Sequence, residues 1–219
     1  MTARARTRRR LAAPQRVTPA PRPSLREALK EATRSRLQAA AVESIARHGY
    51  RATTIDGIVQ AAGTTRTTFY KYFSGKSDMI HVLQTQEIAP ALTALCRRLD
   101  VLDPLDWQNL RNWFNDYAKT WQRIHVFFEA YGDASREDPA VAARMLPDSY
   151  AVTSVMTRML GRFEGAPRQA FHDKLVIMFA TLSVMMFQVA ARGDPPARSR
   201  LLDEFTDIFW EGMFCRVAG

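Results

Sequence analysis

The sequence is poor in the residues on which most site chemistry depends. Only two of its 219 residues are cysteine and four are histidine. Cys96 and Cys215 lie far apart with no metal-ligand spacing around them. That argues against a disulfide scaffold or a zinc module and makes a reduced, cytoplasmic protein the expectation. His48, His81, His125 and His172 form no HExxH-type cluster, and the chain has no GxGxxG, P-loop or GxSxG. Neither an enzyme, a bound metal nor a cofactor is therefore expected. Long apolar runs are scarce too. Behind the first arginines only Leu11, Ala12 and Ala13 precede Pro14, far short of the roughly 7–15 residues of a signal-peptide core. The one sustained run, Leu175 to Ala191, carries Thr181, Ser183 and Gln188. It falls just below the roughly 20 residues of a membrane span, and reads as a helix buried in a core or a subunit interface, without a membrane.

Acid is missing from one end. Residues 1–23 hold seven arginines, four prolines and no Asp or Glu, whereas residues 81–219 have 15 basic against 17 acidic side chains. The net charge of +9 therefore resides in the first third of the chain. Such asymmetry suits contact with nucleic acid or another anionic surface. Residues 1–23 read as a disordered basic arm. The 47% hydrophobic content supports a folded remainder with a sizeable core.

Punctuation of that remainder is helical throughout. Ser24 and Glu27 form a capping box, and the helix it opens stops at Gly49. Thr54 caps a second helix ending at Ala61-Ala62-Gly63, a short third follows over 65–72, and a fourth runs over 76–99. Asp103-Pro104 and Asp138-Pro139 are cap-plus-proline starts, and Gly193 to Pro196 closes one helix and opens another. These signals predict further helices at 104–121, 123–134, 138–163 (kinked at Pro147), 167–192 and 196–216. The expected fold is all-α with about nine helices: a DNA-binding domain over 24–76 and a larger helical domain over 77–219.

The third helix carries the chemistry. On a wheel of 100° per residue, Arg66, Thr67, Tyr70 and Lys71 share one side. Phe69 points the opposite way, joined by Phe73. A helix, a glycine turn and a second helix with an apolar back and a donor-rich front fit a helix-turn-helix, whose second helix enters the major groove. The stretch from Thr33 to Leu83, with "GY", "TTID", "AAG", "RTTFYKYF" and "GKSD", resembles the N-terminal domain of the TetR family of transcriptional regulators. The resemblance implies base contacts from Thr65, Arg66 and Thr67, and phosphate contacts or capping from Thr54, Tyr70, Tyr72 and Lys76, with Lys71 on the same outer face. Two positions depart from the family's pattern: Gly57 stands where an acid often completes a capping box with Thr54, and Val59 replaces a common alanine.

Aromatic and methionine residues accumulate in the second domain. They read either as core or as the lining of an apolar cavity, with Trp113, Tyr117, Phe128 and Met178 as the expected lining. The resemblance implies an apolar or aromatic small-molecule effector there. The last two helices supply two apolar stripes, Leu175, Met178, Leu182, Met185 and Val189, and Leu201, Phe205, Ile208, Phe209 and Gly212. They are expected to pair with their copies in a homodimer. The leading expectation is thus a dimeric, one-component regulator, most simply a repressor, of a palindromic DNA operator. The alternative is a DNA-binding or architectural module that answers to a protein or to nothing, its interior filled by side chains. If the arginine arm lies along flanking DNA, deleting residues 1–22 weakens binding. It also flattens the log–log salt dependence by about 0.9 for each phosphate that the arm neutralises, measured by gel-shift titration over a salt series.

Overall fold

A computed structural model describes residues 24–192 and 195–215, with the side chains of 188–195 left undescribed; the arginine arm and the Gly193-Asp194 closure fall outside these residues. The described chain is helical, without strands. Helix α1 (Leu25–Ala52) opens on the Ser24–Glu27 capping box, both halves of which form. It turns at Gly49, whose φ of 78° lies in the left-handed region that glycine enters without a Cβ penalty. Helix α2 (Ile55–Ala61) is capped by Thr54, whose Oγ1 accepts from the Gly57 amide at 3.1 Å. The cap is one-sided, because Gly57 has no side chain to return it. Gly63, at φ 61°, makes the turn into α3 (Arg66–Phe69).

Helix α4 (Lys76–Leu83), a π-helical segment (Gln84–Ile88) and α5 (Ala89–Asp100) form one continuous rod, where the sequence predicts a single helix. Helix α6 (Trp107–Glu137) is longer than expected. The two helices predicted at 104–121 and 123–134 are one, since nothing between them breaks a helix. Its N-cap is Asp106, not Asp103: Asp106 Oδ1 accepts from the Asn109 amide at 2.7 Å. Asp138 caps α7 (Pro139–Thr153), which contains Pro147 and stops ten residues before the predicted end. The chain then makes a short α8 (Thr157–Leu160) before α9 (Gly165–Arg192). Asp100, buried, accepts from the Arg158 and Met159 amides and so holds the start of α8 against the end of α5. Helix α10 (Pro195–Phe209) ends in a second π-helical segment (Trp210–Phe214). With α4 and α5 counted as one rod, the described residues form nine helical bodies.

Two apolar cores result. The smaller one joins Leu37 and Ala41 of α1, Ile58 and Val59 of α2, Phe69, Phe73 and Met79. Val59 thus finds room where the family's pattern has alanine. The larger core is built around α6 and includes Ile45 and Tyr50 of α1 and Ile80 and Leu83 of α4. Helices α1 and α4 therefore contribute to both cores and tie the small head to the large body.

Over Gly165–Phe187 helix α9 is long and apolar enough to cross a membrane by length and composition alone, yet nearly half of its most apolar window is buried in the protein. Its facing differs from the expected interface stripe. Leu175, Met178 and Leu182 are fully buried in the core. The exposed stripe is Ile177, Val184 and Phe187, with Leu201 and Ile208 of α10 also exposed. Thr181, between them, turns its hydroxyl back to the Ile177 carbonyl at 2.7 Å. Phe205 is likewise inward, edge-on to Phe114 at 5.4 Å between ring centroids.

The fully buried Phe69 anchors α3 to the small core. Phe69→Ala is expected to destabilise the head by about 3–5 kcal/mol, measured by urea denaturation.

Candidate nucleic-acid interface and effector cavity

The residues singled out for DNA divide by what they already touch. Thr65 is the N-cap of α3: its Oγ1 accepts from the Thr68 amide at 3.2 Å and lies 3.1 Å from the Thr68 hydroxyl. Thr54 holds the same office for α2. Thr67, Tyr70 and Lys71 are exposed, while Tyr72 is half-buried against the small core. Helix α3 itself is four residues long rather than the eight predicted; Tyr70 serves as its C-cap and the chain turns on to Phe73.

Arg66 projects beside Asp56 of α2, its Nη1 donating to both carboxylate oxygens at 2.9 and 2.8 Å. One nitrogen serves both bonds, and the Tyr70 hydroxyl lies beside the same guanidinium; Tyr70 first and Asp56 second raise the Arg66 pKa. With both side chains more than half exposed, water screens the pair and its net strength is small. A guanine edge or a phosphate can replace Asp56 at little cost. Sequence pattern does not mark Asp56 as the partner of Arg66. Its place in the first turn of a capped helix, ten residues before Arg66, is the one available signal.

Lys76 is placed differently from a plain phosphate contact. Its Nζ donates at 2.7 Å to the Tyr50 and Thr53 carbonyls, at the free carbonyl end of α1, and sits 4.2 Å from the centre of the Tyr50 ring. Burial pulls its pKa down, opposed by the nearby Glu137 and Asp138 carboxylates. Tyr50 in turn donates its hydroxyl to Asp138 Oδ2 at 2.9 Å, while Asp138 Oδ1 caps α7. Burial first, and Asp138 second, raise the Tyr50 phenol above its ordinary range and keep it a donor. The end of α1, the start of α4 and the α6–α7 junction thus meet in one hydrogen-bonded knot.

A cavity of about 560 Å³ is walled by α6, α7, α9 and the rod from Gln84 to Leu92. That volume falls in the range of small-molecule sites. Trp121, Phe128, Tyr131, Phe179 and Phe187 supply aromatic wall. Of the four residues expected from sequence, only Phe128 lines it. Trp113, Tyr117 and Met178 are buried behind it in the core. The polar tips of the first two explain their facing. Trp113 Nε1 donates to the Leu95 carbonyl at 2.9 Å, and the Tyr117 hydroxyl meets Ser183 Oγ at 2.8 Å. The stripe 113, 117, 121 slips around α6 at 100° per residue, so only its upper end reaches the cavity. Among the described residues, no group of three or more His, Cys, Asp or Glu could hold a metal.

Comparison with known proteins follows the same division. The family "Bacterial regulatory proteins, tetR family" matches residues 37–83. No curated protein matches the chain. Solved structures share the fold at low identity. A TetR-family transcriptional regulator from Syntrophomonas wolfei is 14% identical, with 82% of this chain and 95% of that one covered at a TM-score of 0.60. The fatty acid degradation regulator FadR of Bacillus halodurans is 17% identical, with 82% and 95% covered at 0.59. FadR of Thermus thermophilus, a TetR-family repressor solved with lauroyl-CoA, is 21% identical, with 82% and 94% covered at 0.53.

The Tyr50–Asp138 bond spans head and body. Tyr50→Phe is expected to cost about 1–2 kcal/mol in thermal or urea unfolding, and to speed hydrogen exchange at the end of α1.

Proposed function

The chain carries the DNA-binding domain of the TetR family of bacterial regulatory proteins, and from that premise we propose that it is a dimeric, one-component repressor whose DNA affinity is set by an apolar or aromatic small molecule. The observation that carries the effector half of this reading is the cavity. Its wall includes Gln84, Ile88 and Leu92, and these belong to the same rod whose first residue, Lys76, holds the head. A molecule that prefers one setting of that rod shifts the population of head positions. The π-helical segment in the wall supports this, since such segments concentrate at functional sites.

DNA is met by the exposed face of Arg66, Thr67, Tyr70 and Lys71, with Thr65 and Thr54 presenting capped helix starts beside it. Tyr72 and Lys76 support the geometry from behind, Lys76 through the carbonyls it clamps. The two copies pair through the exposed stripe of α9 with Leu201 and Ile208 of α10, in place of the buried Leu175, Met178 and Leu182. Val184 and Phe187 belong to both the stripe and the cavity wall, so pairing covers apolar surface at the edge of the effector site. Two heads so joined read half-sites one helical turn apart, or a multiple of it. A cytoplasmic location follows from a DNA target.

Arg66→Ala is expected to lower specific operator affinity by about 1–3 kcal/mol, the worth of a bidentate base contact, with non-specific binding changed far less. Gel-shift titration on operator and scrambled DNA checks it. Equal operator affinity for variant and parent overturns the assignment.

A further inference from the structure

The cavity wall is not chemically neutral. Its aromatic end is formed by Trp121 and Phe128, with ring centroids 4.8 Å apart, together with Phe179. One buried polar group there lacks a partner among the described residues. Trp121 is 4% exposed and its indole Nε1 donates to nothing. Gln84, 5% exposed, also lines the cavity. An unpaired buried donor costs free energy that a bound acceptor recovers. The wall hydroxyls, by contrast, are spent: Ser135, Ser149 and Ser183 donate to carbonyls of their own helices.

The other end of the wall is acidic. Glu129 and Asp133 of α6 and Asp148 of α7 line it, against a single cation, Arg136. Arg136 pairs with Asp133, but its side chain is 71% exposed, so water screens the pair. Arg144 lies in a separate, smaller crevice with His81, on whose wall Tyr131 also stands. Asp148 accepts one hydrogen bond, from the Tyr131 hydroxyl at 2.9 Å. Glu129 is exposed and unpartnered among the described residues. The wall thus carries three carboxylates against one guanidinium, a net negative balance that disfavours a carboxylate or a phosphate, and two of the carboxylates keep accepting capacity. Along α6, Trp121 and Glu129 are separated by about 12 Å. Aromatic faces attract cations through their quadrupole, most strongly where water is excluded.

We propose that the occupant of this cavity is a lipophilic cation: an alkyl or aromatic body lying against Trp121, Phe128 and Phe179 and carrying a neutral acceptor oxygen for Trp121 Nε1, with a protonated or quaternary amine held at Glu129 and Asp148. The inference rests on the reading of the cavity as an effector site and sharpens it. It also separates this chain from the fold relative solved with lauroyl-CoA, whose head group is anionic.

A matched pair of probes tests the inference on the full chain. Dodecyltrimethylammonium and dodecanoate share one alkyl length and differ in head charge; both are titrated below micelle formation by calorimetry. The cation is expected to bind at least about tenfold more tightly, from two partly screened ion pairs and the aromatic wall. Glu129→Gln with Asp148→Asn is expected to reduce that preference to about twofold. Should the double variant fold poorly by circular dichroism, the exposed Glu129→Gln alone is expected to lower the preference by about threefold. Tighter or equal binding of dodecanoate, a preference unmoved by the variants, or binding of neither probe overturns the proposal. Operator release is read separately by gel shift. A cation that binds but leaves operator affinity unchanged sinks the repressor reading and leaves the ligand class standing. Release by dodecanoate alone does the reverse.

Discussion

One ammonium group fixes the head on the body. Lys76 binds the last carbonyls of α1 and opens α4, so two helix ends of opposite polarity share a single ion. Free carbonyls at a helix C-terminus carry partial negative charge and attract cations. Here the cation is the first residue of the rod that walls the cavity. Tyr50 completes the arrangement by giving its ring to Lys76 and its hydroxyl to Asp138. Without that junction the two apolar cores would be joined by the helices α1 and α4 that enter both and by the Gln38–Gln86 hydrogen bond, with nothing among the described residues to hold the end of α1 against the start of α4. Hydrogen-bonded polar groups in half-buried sites contribute direction as well as stability.

The body solves a different problem. Helix α6 is 31 residues long and mostly surrounded by other helices, so its polar side chains need partners in several directions. Arg111 reaches α10 through Asp203 at 2.5 Å, Trp113 reaches α5, and Tyr117 reaches α9. The lower half is thereby pinned and filled. The upper half, from Trp121 on, faces α7 across a gap. Pro147 occupies the middle of α7, where its ring removes one amide from the helix ladder and discourages close approach.

Much of this was legible in the sequence. Caps and glycines name their own positions: the Ser24–Glu27 box, Thr54, Gly63 and Asp138 all act where their side chains, or lack of one, require. The outward face of α3 follows from helical phase alone. Other features needed three dimensions. Asp103 and Asp106 are equally good caps on paper, and only packing selects the second. The stripe 113, 117, 121 looks uniform in sequence, but over two turns it passes from core to cavity. Leu175 and Ile177 are equally apolar, so the pattern cannot say which faces the interior. Asp56 is a first-turn acid until Arg66 is placed beside it, and the division of cavity charge depends on α7 meeting α6 across space.

The π-helical segment at Gln84–Ile88 has a geometric meaning of its own. Each such segment holds one residue more than the α-helical ladder around it, and the surplus offsets side-chain phase by about 100° between the two parts of the rod. The faces that α4 and α5 turn to their surroundings are therefore out of phase with one another. The angular position of the head therefore depends on residue count along the rod as well as on the contacts at Lys76. Losing that single residue would turn α4 against α5 and carry Ile80 and Leu83 away from the large core, so the surplus residue is what lets one rod serve both cores.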